Sequence, residues 1–201
     1  MKLGDYKLVF VAAALIGVLL IASPAIAGAI RLPGGEVFSE LYLLGPTQMA
    51  QNYPSNIAVA ENYSVYVNVG NHLGSSAYYV LYVKLANATD QLPNPTLGTP
   101  SPLPPLYTYC FSIPDGVSWQ SLVSFSVSNA ALQGNNSQIN TLQINGAAFN
   151  VEKSAAWNTN STKFTYILFF ELWLYNMQAD SVEFNSRYVS LQLNLTRTSN
   201  S

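Results

Sequence analysis

Three stretches of strict alternation constrain this chain more than any other feature. Val65, Val67 and Val69 alternate with Ser64, Tyr66 and Asn68. Val123, Phe125 and Val127 alternate with Ser124, Ser126 and Ser128. Val189, Leu191, Leu193 and Leu195 alternate with Ser190, Gln192 and Asn194. A period of two buries one face of a strand and wets the other, whereas a helix would scatter these residues around its axis. The last alternation places Asn194 on the wet face.

Four further segments, Val37–Leu44, Tyr78–Leu85, Tyr107–Ile113 and Phe164–Tyr175, are rich in Tyr, Val, Phe and Leu and read as strands. Phe164–Tyr175 is apolar at both parities, which predicts a central strand with both faces covered. Its second face would otherwise rest on the apolar N-terminal segment or on another molecule. The pattern gives roughly seven to nine strands and no long helix after residue 30. The best helix candidate is a short stretch within Ala130–Leu142. Many short strands with polar connections predict an all-β fold, an antiparallel, Ig-like β-sandwich preceded by an N-terminal hydrophobic helix.

One irregular segment breaks the pattern. Asn87–Leu106 holds Pro93, Pro95, Pro100, Pro102, Pro104 and Pro105, six of the eleven prolines. Proline supplies no ladder donor, so this is loop or polyproline II, and its composition reads as a spacer. Gln133–Asn140 and Asn158–Thr162 read as shorter polar loops.

Charged residues make up 9 % of the chain and apolar residues 49 %, against roughly 25 % charged in an ordinary soluble domain. Ser, Thr, Asn, Gln and Tyr supply the polar surface instead. Neutral groups stay solvated at any pH, so this surface suits an acidic exterior; a coat of glycans would equally reduce the need for charge. A net charge of −2 without a block of Lys or Arg argues against nucleic acid as a partner. Cys110 is the single cysteine, so no intrachain disulfide forms.

Lys2 and Lys7 flank a short polar start, and Leu8–Ala22 is then an apolar run. Ser23-Pro24 and Ala25-Ile26-Ala27 follow, in the order of a secretory signal peptide. Cleavage between Ala27 and Gly28 is one reading. Retention of Leu8–Ile30 as a signal anchor is another, since about 20 apolar residues span a bilayer. A pilin-type leader cut near Gly4 is a third. Each puts the body of the protein outside the cytoplasm, either secreted to the cell surface or held by one helix. The chain then divides into residues 1–27 as signal or anchor, 28–36 as linker or N-terminal donor segment, and 37–201 as the β-domain. Five N-x-S/T sequons, at Asn62, Asn87, Asn135, Asn160 and Asn194, predict N-glycosylation.

From residue 38 the chain reads Phe38-Ser-Glu-Leu-Tyr-Leu-Leu-Gly-Pro46, then Gln51-Asn-Tyr-Pro-Ser-Asn56, then Gly70-Asn-His72. It resembles an archaeal family of unknown function, whose members place such a domain outside the membrane after one or several spanning helices. Leu73 stands where that family usually has Glu, which counts against a carboxylate site beside His72. The resemblance covers roughly residues 38–85 and assigns no activity. In architecture the chain is also similar to the thread-like donor-strand filaments of archaeal surfaces. The residues themselves read structurally: Gly45-Pro46 ends a strand, Tyr53-Pro54 is an extended pair and Asn71–Gly74 is a hairpin turn.

No catalytic constellation assembles. His72 is the one histidine, and no G-x-S-x-G elbow accompanies it. His72 and Cys110 are too few for a blue-copper or structural zinc site. Cys110 reads as a buried, inert thiol, and Glu171, inside the most apolar strand, as edge-facing or paired. Glu36 with Glu40, and Asp180 with Glu183, read as surface charge. Thirteen tyrosines leave a sugar-binding face open. The expectation is a non-catalytic cell-surface structural glycoprotein without cofactor, a filament or coat subunit whose partner is itself. Ile30, Leu32, Val37, Leu41 and Leu43 are the candidate assembly residues, inserting into a neighbour by strand addition. The alternative is a membrane-anchored accessory subunit of a membrane protein complex, with Phe164–Tyr175 facing its partner.

Overall fold

The structure is a computed structural model and describes residues 6–7, 9–18, 36–159 and 163–195. It divides into two compact units, Met1–Val37 and Phe38–Ser201. In the first, residues 9–18 are helical with mostly exposed side chains. That is shorter than the expected hydrophobic helix, and among the described residues no helix is long and apolar enough to cross a membrane. The expected cleavage pair Ala27–Gly28 lies outside the described residues.

The second unit is mostly β. Its strands are β1 (Phe38–Leu44), β2 (Asn56–Ile57), β3 (Tyr63–His72), β4 (Ala77–Asn87), β5 (Tyr107–Ile113), β6 (Ser118–Gln133), β7 (Asn136–Ile144), β8 (Ala147–Asn158), β9 (Lys163–Asn176) and β10 (Ser181–Leu195). They form one curled ten-stranded sheet in the order β1-β3-β6-β7-β8-β9-β10-β2, with β4 joined to β9 and β5 to β4. Every pairing is antiparallel except β10 with β2.

The three alternating stretches face the core as their period demands. Val65, Val67 and Val69 of β3, Val123, Phe125 and Val127 of β6, and Leu191, Leu193 and Leu195 of β10 are all buried in it. Each large apolar side chain removed from water there contributes roughly 1.5–3 kcal/mol. The segment Ala130–Leu142 is not helical. Its first residues extend β6, Gly134-Asn135 makes the turn, and the rest belongs to β7. Alanine and leucine favour helix locally, but Ile139 and Leu142 fill the core from a strand, and that tertiary burial decides. Two register shifts around Asn129 hide the alternation from the sequence. Strand β8, Ala-rich and poor in β-branched residues, escapes it altogether.

Strand β9 is central, flanked along its length by β4 and β10. Phe164, Tyr166, Leu168, Phe170 and Leu172 point into the core, and Phe169 and Glu171 on its other face are fully buried too. The cover is the chain's own Pro-rich segment. Lys84 of β4 pairs with Glu171 at 2.6 Å, and neither is more than 4 % exposed. The Ser101 N–H donates to Glu171 Oε1 at 2.7 Å, and Lys84 Nζ donates to the Ser101 carbonyl at 3.0 Å. Ser101 Oγ donates to the Gln91 carbonyl, closing the loop on itself. A 3-10 turn at Pro95–Leu97 is capped by Asn94 and ends at Gly98 in the left-handed region. The segment is therefore a fixed lid, not a spacer. Two buried charges and a backbone N–H satisfy one another there, and removing any one would strand the rest.

Candidate functional site

A curled sheet has two seams, and in this molecule they differ. On one side β5 closes against the far part of the sheet. Its Tyr107, Tyr109 and Phe111 turn inward, and Phe111 stacks on Trp119 with centroids 3.9 Å apart. Tyr109 meets Trp119 edge-on at 5.4 Å, and Tyr107 meets Phe149 at 6.3 Å. Burial raises the Tyr109 phenol's pKa, against smaller lowering by hydrogen bonds from Asn145 and Ser121. Because the odd positions of β5 turn inward, Cys110 faces out with Thr108 and Ser112. The expected buried thiol is therefore exposed, lying against Tyr78.

On the other side β1 and β10 border a groove of about 660 Å³, lined by Tyr42, Leu43, Tyr53, Pro54, Val189 and Leu191 among others. Among the described residues β1 pairs with β3 alone. On its edge away from β9, strand β10 has a strand partner among the described residues only at Asn194 and Leu195, where β2 lies beside it. Both strands thus offer unpaired edges to the groove. The family-like phrases build its rim. Tyr53 Oη donates to the Leu43 carbonyl at 2.8 Å, covering one edge acceptor. Gly45 turns the chain so tightly that a Cβ there would sit 2.0 Å from the Gln51 carbonyl oxygen.

Ser39, Tyr79 and Asn71 fasten the β1 end. The Ser39 and Tyr79 hydroxyls are 2.8 Å apart, and Tyr79 Oη donates to Asn71 Oδ1 at 3.3 Å. The Asn71 amide donates to the Ser75 and Ile113 carbonyls, both at 2.8 Å. Burial raises the Tyr79 phenol's pKa, and Ser39 and Arg187 partly offset it. His72 stacks on Phe38 at 4.8 Å and stands 3.5 Å from Glu40, across the β1–β3 register. It braces β1.

The candidate assembly residues divide. Val37 is 70 % exposed, Leu41 packs on the core, and Leu43, 9 % exposed, belongs to it. Leu41 and Leu43 are thus already used within β1, while Ile30 and Leu32 lie outside the described residues. The sequons also divide. Asn62 and Asn135 are exposed, and Asn160 lies outside the described residues. Asn87 accepts from the N–H groups of Thr89 and Asp90 and donates to the Ser154 carbonyl, so a glycan on its amide would displace that last bond. Asn194 is 9 % exposed, beside β2. It shares a face with the exposed Ser190 and Gln192, but its own amide oxygen accepts from Thr165 Oγ1 and Gln192 Nε2, each at 3.3 Å. Ser137, of the Asn135 sequon, is buried with its hydroxyl 2.6 Å from Tyr166 Oη.

Sequence reasoning missed Arg187, Lys84 and Asn71. Among the described residues no group of three or more His, Cys, Asp and Glu side chains could hold a metal ion.

The fold and the groove define an all-β domain with an open seam. The model of a domain of unknown function, DUF1616, matches residues 32–196, and the chain belongs to that family. No curated protein matches the chain. Among solved structures, a beta-glucosidase from Listeria innocua in complex with glucose aligns at 10 % identity and a TM-score of 0.36, covering 84 % of this chain and 19 % of the enzyme. The chain thus spans about a fifth of that enzyme's length. The ASH / PapD-like domain of human CEP192 aligns at 8 % identity and a TM-score of 0.32, covering 86 % of this chain and 92 % of that domain.

Proposed function

We propose that this chain is a non-catalytic structural glycoprotein of the cell surface, a filament or coat subunit that assembles by strand addition. The groove between β1 and β10 carries the reading. It joins an apolar floor to two unpaired strand edges, which is what an added strand requires: backbone partners on its flanks and pockets for alternate side chains. In this reading the curled sheet is an Ig-like sandwich, with β1-β3-β6-β7-β8 facing β5-β4-β9-β10-β2. The donor is the segment from Gly28 to Val37, since Leu41 and Leu43 are occupied at home. Export by the apolar N-terminus, glycans at the exposed sequons and a surface poor in charge suit an extracytoplasmic, archaeal-type coat.

The alternative, a membrane-anchored accessory subunit, draws on Leu8–Ile30 in the sequence. It keeps part of one support: the lid reaches the second face of β9 at Glu171, while Ile167 and Trp173 on that face are half-buried and Tyr175 is exposed. Deleting residues 28–36 from the exported chain tests the proposal. Polymers should disappear in sedimentation and electron microscopy while the domain stays folded, and persisting filaments refute it.

A further inference from the structure

Charge is scarce in this molecule, and among the described residues from 36 onward nearly every charged group has a partner. Lys84 pairs with Glu171, Lys153 with Asp90, and His72 faces Glu40. Lys163 donates to Asn56. Glu61, Asp115, Glu152, Asp180 and Glu183 each accept a hydrogen bond. Two groups stand apart among the described residues from 36 onward. Glu36 has no hydrogen bond or ion pair and is exposed, one residue before an exposed Val37. Arg187 has no ion pair, and its Nε is buried without a hydrogen-bond partner.

The local fold puts Arg187 in this position. Asn185 and Ser186 are extra residues in β10, and the register with β9 jumps from Phe184 to Arg187 across them. Ser186 takes a positive φ of 51° to do so. The two inserted residues leave the alternation in phase, so Arg187 stays on the face of Val189 and Leu191. Arg187 comes to lie opposite Leu172, a core residue, and close enough to Tyr79 to influence its phenol. A half-buried guanidinium with an unmet donor favours a carboxylate, which it grips with paired, charge-assisted bonds.

We propose that Glu36 of one copy pairs with Arg187 of the next, and that this ion pair sets the register of the added strand. The inference rests on the strand-addition reading and names its partner contact. With the donor antiparallel to β10 and Glu36 opposite Arg187, Leu32 falls opposite Leu191 and Ile30 opposite Leu193. Leu191 and Leu193 face the core, so the period of two delivers both donor side chains to the apolar floor. Gly34 falls opposite Val189, where the donor brings no side chain. A slip of one residue would turn Ile30 and Leu32 to solvent and separate the charges. Attraction across an interface of this kind specifies register and partner more than it adds raw affinity.

The test uses the full exported chain with Glu36→Arg and Arg187→Glu, each alone and then mixed one to one. Each reversal alone should fail to assemble at concentrations where the unaltered chain polymerises. The mixture should assemble, because every donor then meets a groove of opposite charge. Arg187→Gln, the milder change, should raise the concentration needed for assembly by about tenfold. Circular dichroism confirms that each variant is folded. Single reversals that assemble like the unaltered chain, or a mixture no better than its parts, overturn the ion pair while leaving strand addition intact. An unaltered chain that stays monomeric overturns both.

Discussion

The two seams of the sheet are built from the same materials and end differently. At β5, three aromatic side chains pack on two partners across the gap, Trp119 and Phe149. At β1 and β10 the chain supplies Tyr53 as a cap on one carbonyl and leaves about 660 Å³ beside it. The difference is not a shortage of apolar residues. It lies in the lid: the twenty residues that could have crossed to the open seam are spent on the outer face of β9, pinned by Glu171 and Lys84. One exposed surface is closed from within the chain, and the other is left for a strand from outside it.

The largest expected effect comes from breaking the lid. Lys84→Met leaves Glu171 buried without its counter-charge and should cost about 3–5 kcal/mol of stability in denaturant titration. The double variant Lys84→Met with Glu171→Leu should recover much of this, and a single variant as stable as the parent would show that the lid does not depend on the pair. Opening the sealed seam comes next. Trp119→Ala removes the surface on which Phe111 and Tyr109 rest and should cost about 3 kcal/mol, with assembly of the folded protein unchanged.

Alkali should loosen both sides. The phenols of Tyr79, Tyr109 and Tyr166 have pKa values raised above 10.0, chiefly by burial. The unfolded chain therefore loses these protons first, and stability present below pH 10 falls as pH rises through the folded values. Ultraviolet titration should show a late-ionising group of tyrosines that coincides with unfolding; early, unfolding-free ionisation of all thirteen would contradict it. The smallest effect is at the open seam. Tyr53→Phe frees the Leu43 carbonyl and should cost about 1 kcal/mol in the monomer, because water can reach that edge.

How much of this was legible in the sequence depends on the parity of the strands. Where alternation was clean, at Val65–Val69 and Val189–Leu195, the inward residues were readable directly. Phe164–Tyr175 was readable as central because both parities were apolar. The bulge at Asn185-Ser186 inserts two residues and keeps β10 in phase, so Arg187 shares the parity of Val189 and Leu191, and the alternation was followed only from Val189 onward. The irregularity near Asn129 does shift parity in β6 and invited a helix where a hairpin stands. The lid had a signal that was half read: Glu171 reads as edge-facing or paired, but its partner was not sought. Lys84 is the single charge of Tyr78–Leu85 and Glu171 the single charge of Phe164–Tyr175, and neither could be buried without the other. Nothing in the proline content of residues 87–106 separates a spacer from a fixed lid. That distinction rests on Ser101, which only the fold brings to Glu171. The open seam was not legible at all, since it is defined by the strands that β1 and β10 lack.

The most direct measurement compares amide hydrogen exchange in the monomer and in the assembled protein, taken residue by residue. The account predicts that the groove-facing amides of β1 and of residues 187–193 in β10, those not bonded to β3 or β9, exchange readily in the monomer and become protected on assembly, while β5 does not change. Protection that appears at β5, or none at β1 and β10 in a polymer, would contradict the claim that the open seam is where the next copy enters.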